Sequence, residues 1–208
     1  MSDGLKLPRL YAVVDPDFFA TNPSGALQFV GELLQAEVKL VQLRDKKNST
    51  QHTLSLAREI KRINRERAVL VMNDRIDLCL AADFEGVHLG QDDLSALAAR
   101  KILGEKKIIG CSTHNLAQLR EADSGPADYI AFGPIFATSS KLRPDRVVGL
   151  HGLREARRST SKPLVAIGGI TPQNCRDVMD SGADSVAVIS ALIDSPGQRV
   201  KEFLQVLG

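Results

Sequence analysis

An alternation most constrains what this chain can fold into. Eight short apolar runs, several rich in Val and Ile, recur along it: "LYAVV" (10–14), "VKLVQL" (38–43), "AVLVM" (68–72), "GVHLG" (86–90), "KIIGC" (107–111), "YIAFG" (129–133), "LVAIG" (164–168) and "SVAVI" (185–189). Each is close to continuous in its hydrophobicity, which suits a strand buried on both faces of a parallel sheet. The segments between them carry helical spacing. Over 50–66, Leu56, Ile60 and Ile63 fall on one side, while Arg58, Glu59, Lys61, Arg62 and Arg65 take the wet side. "NLAQLREA" opens on Asn115 as an N-cap and spaces Leu116, Leu119 and Ala122 three apart. "TPQNCRDVMDSG" puts Thr171 before Pro172 as a cap and first-turn pair and closes on Gly182.

Two architectures answer this alternation, a closed (β/α)8 TIM barrel and an open doubly wound sheet. Eight regular units and no Gly-rich dinucleotide fingerprint after the first strand select the α/β barrel. Sharing 208 residues among eight units leaves 26 for each, and such barrels start at about 200 residues. No low-complexity segment or linker-like composition shift interrupts the pattern, so a single domain over residues 1–208 is expected.

Charge and composition narrow the function classes. The formal net charge is only +2, so nucleic acid and an anionic membrane surface are not expected partners, and any anion must be held by local clusters. No apolar stretch approaches the roughly 20 residues that span a bilayer. The amino terminus, "MSDGLKLPRLYAVVD", lacks the basic-then-apolar pattern of a secretory signal. Cys79, Cys111 and Cys175 are odd in number and widely spaced, as expected of reduced, mostly buried thiols in a cytoplasmic protein. Small-molecule substrates are the expected partners, and nothing in the sequence specifies an oligomeric state.

A barrel places its active site at the carboxyl ends of its strands. Those ends carry Asp15; Gln42, Arg44, Asp45 and Lys46; Asn73 and Asp74; His88, Gln91, Asp92 and Asp93; Ser112, Thr113 and His114; Thr138, Ser139, Ser140 and Lys141; Gly168 and Gly169; and Ser190. Cations, hydroxyls and exposed backbone amides suit phosphate oxygens. Acids beside those cations would repel a phosphate unless a divalent metal sits between them, and carboxylates, an Asn carbonyl and phosphate oxygens are typical Mg2+ ligands. A second anion site is suggested by Gly168–Gly169, where backbone can approach a ligand closely after the seventh strand. The residues therefore describe a two-anion site with one half metal-assisted.

Several of these groups also have duller explanations. Asp45 and Lys46 could form an exposed ion pair, and Asp92 reads as a helix cap. His88 reads as a satisfied interior histidine, His114 as a partner of nearby loop backbone, and His52 and His151 as surface residues. The three methionines read as core filler.

"VQLRDKK", "MNDRIDLCLAADFEGVHLGQDDL", "IIGCSTHN", "ADYIAFGPIFATSSK", "PLVAIGGI" and "GADSVAVISAL" closely resemble, in order, the motifs of the thiamine phosphate synthase family, from about residue 10 to 193. The resemblance implies a barrel that joins an aminopyrimidine methyl diphosphate to a thiazole ethyl phosphate and requires Mg2+. Carried over by position, the segment Gln42, Leu43, Arg44, Asp45 and Lys46 lines the pyrimidine diphosphate site, with Arg44 and Lys46 as its cations. Asn73 contacts the same substrate, Asp74 and Asp93 bind Mg2+, and Ser112 and Lys141 complete the diphosphate side. Arg44, Lys46, Ser112 and Lys141 are thus the implied catalytic groups. Thr138, Ser139 and Ser140 hold the thiazole phosphate with Gly168 and the Ile189–Ser190 backbone. Three features depart from the family pattern: Ala137 replaces a usual Pro, Ser140 a common Thr, and 142–152 lacks the usual Pro-rich continuation. The alternatives are a sibling that isomerises a thiazole phosphate and a non-catalytic regulator that binds one. Retention of the whole cation-and-acid set argues against both, since neither has a diphosphate to clamp.

Overall fold

In the computed structural model, which describes residues 5–22, 24–138 and 146–208, the eight runs become eight parallel strands closed into a barrel in the order of the sequence. They are β1 (Leu10–Val14), β2 (Leu40–Leu43), β3 (Val69–Asn73), β4 (Gly86–Leu89), β5 (Ile108–Thr113), β6 (Tyr129–Phe132), β7 (Leu164–Ile167) and β8 (Ser185–Val188), and β8 pairs back onto β1. Helices follow each strand: α1 (Gly25–Gln35), α2 (Thr50–Asn64), α3 (Ile76–Ala81), α4 (Ala96–Leu103), α5 (Leu116–Ser124), α6 (Gly149–Arg158), α7 (Cys175–Asp180) and α8 (Pro196–Leu207). Among the described residues, no helix is long and apolar enough to cross a membrane.

Strand alternation divides the core in two. Ala12, Val14, Val41, Leu43, Leu70 and Met72 point outward into the layer under the helices. Tyr11, Val13, Leu40, Val71, Tyr129, Ala131, Val165 and Ala187 point inward and fill the barrel, with Leu5 and Leu7 packed against them. Both faces of every strand are therefore occupied, which is why the sequence runs are continuous rather than alternating.

The expected caps hold at Asn115, whose side chain accepts from Gln118 N at 3.0 Å. The stretch after β7 differs. Asn174, not Thr171, supplies the side-chain bonds there, accepting from Thr171 N at 2.8 Å and donating to Gly169 O at 3.0 Å. Pro172 and its neighbours form a turn and α7 begins only at Cys175. Asp92 likewise caps nothing: Ser95 caps α4 by accepting from Ala98 N.

The barrel floor has a repeated fastening. Glu85, Asp128 and Asp184 each stand just before an even-numbered strand. Their carboxylates accept the N–H of Leu70, Ile109 and Leu164 on the preceding strand, at 2.8, 2.7 and 2.8 Å. Each also pairs with a cation from the helix outside, Lys61 on α2, Arg100 on α4 and Arg157 on α6. These acids extend the strand ladders at the end of the barrel away from the cavity described next. Position at that face reads as stability rather than chemistry.

Candidate active site

At the carboxyl ends of the strands opens a cavity of about 830 Å³, to which every strand or its following loop contributes. Gln42, Arg44 and Lys46 come from β2 and its loop, Asn73 and Asp74 from β3, His88 and the Gly90–Asp93 loop from β4, and Ser112 from β5. Thr138, Gly168 and Ile189–Ser190 close the other side. Two residues of the expected set do not reach it with their side chains. Leu43 is an outward position of β2 and lies buried among the helices. The Asp45 carboxylate turns to the start of α2, where it accepts from Asn48 N at 3.0 Å and from Thr53 Oγ1 at 2.8 Å. Period-two alternation explains the first, and the unsatisfied donors of a helix start explain the second. Ser139, Ser140 and Lys141 lie outside the described residues, as do the first residues, 142–145, of the departing stretch after them.

The acid side is built on a tight turn. Asp74 has φ +60, in the left-handed region that non-glycine residues seldom adopt. Its N–H bonds to His88 O at 2.8 Å, and Arg75 N bonds to Asn73 O at 2.7 Å. This turn throws the Asp74 side chain back over the barrel, where it ion-pairs with Lys46 and lies within hydrogen-bonding reach of Asp93. Burial, first, and then the neighbouring Asp93 carboxyl push Asp74 up to about 6, although Lys46 pulls the other way. Asp93 is itself oriented by Gly90 N, which donates to its Oδ2 at 2.7 Å. A side chain at 90 would meet that oxygen at 2.8 Å, so the glycine leaves room for the carboxylate.

Beside this pair, the buried Asn73 Nδ2 has no hydrogen-bond partner among the described residues. A buried amide donor aimed into a cavity with no acceptor is costly unless a ligand supplies one. The cation side is fixed differently: Arg44 is paired with Asp15, which is 4 % exposed at the end of β1. Lys46 is about half exposed at the cavity rim.

Would this donor set hold Mg2+? No group of three or more Asp, Glu, His or Cys converges among the described residues, so those residues do not enclose a metal by themselves. Mg2+ does not need such a cage, since it commonly uses one or two carboxylates and completes its shell with water and substrate phosphate. Two carboxyl groups crowded together, one of them pushed up by burial and by that neighbour, are what a divalent cation would relieve. The residues fit the ion.

On the far side, Gly168 and Gly169 have φ of +104 and +63. Their first requirement is packing. A side chain at 168 would meet Pro134 Cβ at 2.6 Å, and one at 169 would meet Ala137 O at 2.5 Å. The loop after β6 is strapped onto them by Ile135 N to Ile167 O at 2.9 Å and Phe136 N to Gly168 O at 3.0 Å. The close approach expected for a ligand is thus also used by the chain itself. After β8, Ser190–Leu192 form a single 3-10 turn at the rim.

Polar side chains also lie at the bottom of the cavity, and sequence reading passed over the two tyrosines among them. The only two tyrosines of the chain, Tyr11 and Tyr129, face each other inside the barrel with hydroxyls 2.9 Å apart. Gln42 Nε2 donates to Tyr11 at 2.7 Å, and His88 bonds to Tyr129 through Nδ1 at 3.0 Å and to Ser112 Oγ through Nε2 at 2.8 Å. His88 is thus the satisfied interior histidine that was expected, but one of its partners is a site residue. The available signal was polar residues at inward strand positions, where a barrel interior otherwise takes aliphatic ones. His114 bonds through Nδ1 to Gly133 O at 2.7 Å, and His52 and His151 are exposed, as expected.

Comparison with known proteins agrees with this geometry. The family described as thiamine monophosphate synthase matches residues 10–192. A thiamine-phosphate synthase of Koribacter versatilis is 56% identical, covering 100% of this chain and 99% of that protein. One from Methanosarcina mazei is 42% identical over 93% of this chain and 83% of its own length. Among solved structures, a thiamine phosphate pyrophosphorylase from Pyrococcus furiosus superposes with a TM-score of 0.84 at 31% identity, covering 96% of this chain and 95% of that one.

Proposed function

Because the chain belongs to the thiamine monophosphate synthase family and is a transferase that forms thiamine phosphate, we propose that its barrel mouth joins an aminopyrimidine methyl diphosphate to a thiazole ethyl phosphate and releases diphosphate. The observation that carries this is the meeting of the Asp74 and Asp93 carboxyl groups with Lys46, at one edge of a cavity that Arg44 also lines. Acids and cations interleaved in this way suit a metal-bound diphosphate, whereas an isomerase of a monophosphate has no use for both. The cavity volume lies in the range of small-molecule sites.

The chemistry asks for little proton transfer. The thiazole nitrogen attacks with a lone pair, so no side chain must remove a proton as the new bond forms. The hard step is loss of diphosphate from the pyrimidine methylene, where an electron-rich aminopyrimidine stabilises the cation left behind. Asp74 and Asp93 would hold Mg2+, which when bound would supply neutralisation of the diphosphate charge. Arg44, fixed by Asp15, and Lys46 are assigned to the growing negative charge, with Lys141 as a further cation. Ser112 and the Asn73 amide donate to the same substrate. Thr138, Ser139, Ser140, Gly168 and the Ile189–Ser190 backbone hold the thiazole phosphate, orient its ring and help exclude water from the cation. A cytoplasmic location belongs to the same reading. It is supported by Cys79, Cys111 and Cys175 being free rather than paired in disulfides.

Incubation with both substrates and Mg2+ tests the proposal. Diphosphate and thiamine phosphate should appear in equal amounts. Thiazole isomerisation without diphosphate release, or binding without turnover, would overturn it.

A further inference from the structure

The chain Gln42–Tyr11–Tyr129–His88–Ser112 crosses the barrel as four consecutive hydrogen bonds of 2.7, 2.9, 3.0 and 2.8 Å. All but Ser112 are buried, and the tyrosine hydroxyls stay protonated because burial raises both well above their ordinary range. The rings are packed as well as bonded: His88 stacks on Tyr129 with centroids 5.5 Å apart, and Tyr11 meets Tyr129 edge-on at 6.1 Å.

Proton counting allows this chain two orders. A hydroxyl has one proton to donate, and a neutral imidazole has one donor and one acceptor nitrogen. With the Gln42 amide donating to Tyr11, Tyr11 must donate to Tyr129, since its proton otherwise has no acceptor in a buried site. Tyr129 then donates to His88 Nδ1. That leaves the proton on Nε2, which donates to Ser112 Oγ and frees the Ser112 proton for the cavity. Turning the Gln42 amide over reverses every bond. Ser112 then spends its proton on His88 Nε2 and shows the cavity only a lone pair.

An ionised phosphate oxygen can accept but cannot donate, so it distinguishes the two orders. We propose that Tyr11 and Tyr129 are positioning residues that hold His88 as its Nε2–H tautomer when diphosphate is bound, so that Ser112 is presented as a donor. This rests on the diphosphate reading above. It joins the β2 and β5 sides of the mouth, because the orientation of Gln42 and the donor capacity of Ser112 become one variable. Gly110 makes room for the arrangement. It pairs with Tyr129 across β5 and β6, and any side chain there would lie 2.4 Å from the Tyr129 hydroxyl.

Nitrogen-15 NMR of histidine-labelled protein reads the tautomer directly. His114 is an internal reference, because its Nδ1 faces a carbonyl oxygen and must carry a proton. With Mg2+ and inorganic diphosphate added to the wild-type chain, His88 should be Nε2–H. Tyr129→Phe keeps the ring and removes the donor to Nδ1, so His88 should shift toward Nδ1–H and diphosphate affinity should fall about tenfold, as for one lost charge-assisted bond. Ser112→Ala should cost about the same, and the double variant no more than either alone, a non-additivity that a purely structural tyrosine would not produce. Observing Nδ1–H or imidazolium His88 in the wild-type diphosphate complex would overturn the proposal, as would additive losses. Failure of the wild type to bind diphosphate at all would instead sink the functional reading on which it stands.

Discussion

Gly110→Ala perturbs the centre of the barrel by one methyl group. The added carbon would lie 2.0 Å from Tyr129 Cζ and 2.5 Å from its Cε1, more than an ångström inside ordinary contact. The ring cannot simply step aside, since Tyr129 is 0 % exposed and hydrogen-bonded on two sides. Overpacking of a filled core costs about 1–3 kcal/mol. Displacing the ring also strands buried polar groups, at about 1–3 kcal/mol each. A loss of about 3 kcal/mol or more is therefore expected, measured by urea denaturation with the slope unchanged. The diagnostic is a double-mutant cycle. Tyr129→Ala alone should cost about 3–5 kcal/mol through its cavity. In that background Gly110→Ala should be close to neutral, because the methyl fills space just vacated and alanine carries less backbone entropy than glycine. A coupling of about 3 kcal/mol would follow. Additive costs, or a Gly110→Ala protein within about 1 kcal/mol of wild type, would refute the contact on which this reasoning rests.

Asp74→Asn should stabilise the metal-free protein near pH 7.5 and do little near pH 4. The folded-state value is raised from 3.8 to about 6 by burial and by Asp93, so the wild-type contribution is present below about pH 4 and lost as pH rises through 6. The ceiling is about 3 kcal/mol. Mg2+ should narrow the gap by stabilising the wild type, and urea midpoints whose gap between variant and wild type is the same at the two pH values would discard the carboxyl pair. Arg44→Ala and Lys141→Ala should each lower kcat/KM on the order of a hundredfold or more. Asp45→Ala should instead cost about 1–2 kcal/mol of stability by loosening the start of α2, with a much smaller kinetic effect. Steady-state assays in which Asp45→Ala is as damaging as Arg44→Ala would return Asp45 to the site.

Which acids turn into the cavity was only partly legible in the chain. Strand-end position brought Asp74 and Asp93 to notice, but only the family resemblance singled them out as Mg2+ ligands. Asp45 and Asp92 satisfy the same sequence rule, yet one fastens α2 and the other sits exposed in the cavity rim without capping α4. Glu85, Asp128 and Asp184 are equally regular but precede strands, and they brace the opposite end. Sequence position sorts top from bottom. It does not say which way a side chain turns within a loop, because that depends on which backbone donors the folded loop leaves unsatisfied.

The order of strands and helices, the closure of the barrel and the clustering of cations, acids and hydroxyls at its carboxyl end were determined by the sequence itself. Hydrophobic periodicity and strand-end composition are local properties that survive being read along a line. The tertiary structure alone decided three things. It turned Asp74 toward Asp93 and Lys46, it filled the space of Gly168 and Gly169 with the neighbouring loop, and it linked Ser112 to Gln42 through two tyrosines and a histidine. Each joins residues far apart in the chain, on different strands, and depends on which inward positions fall at the same height in the closed barrel. Register around the barrel sets that height, and register exists only once all eight strands have paired.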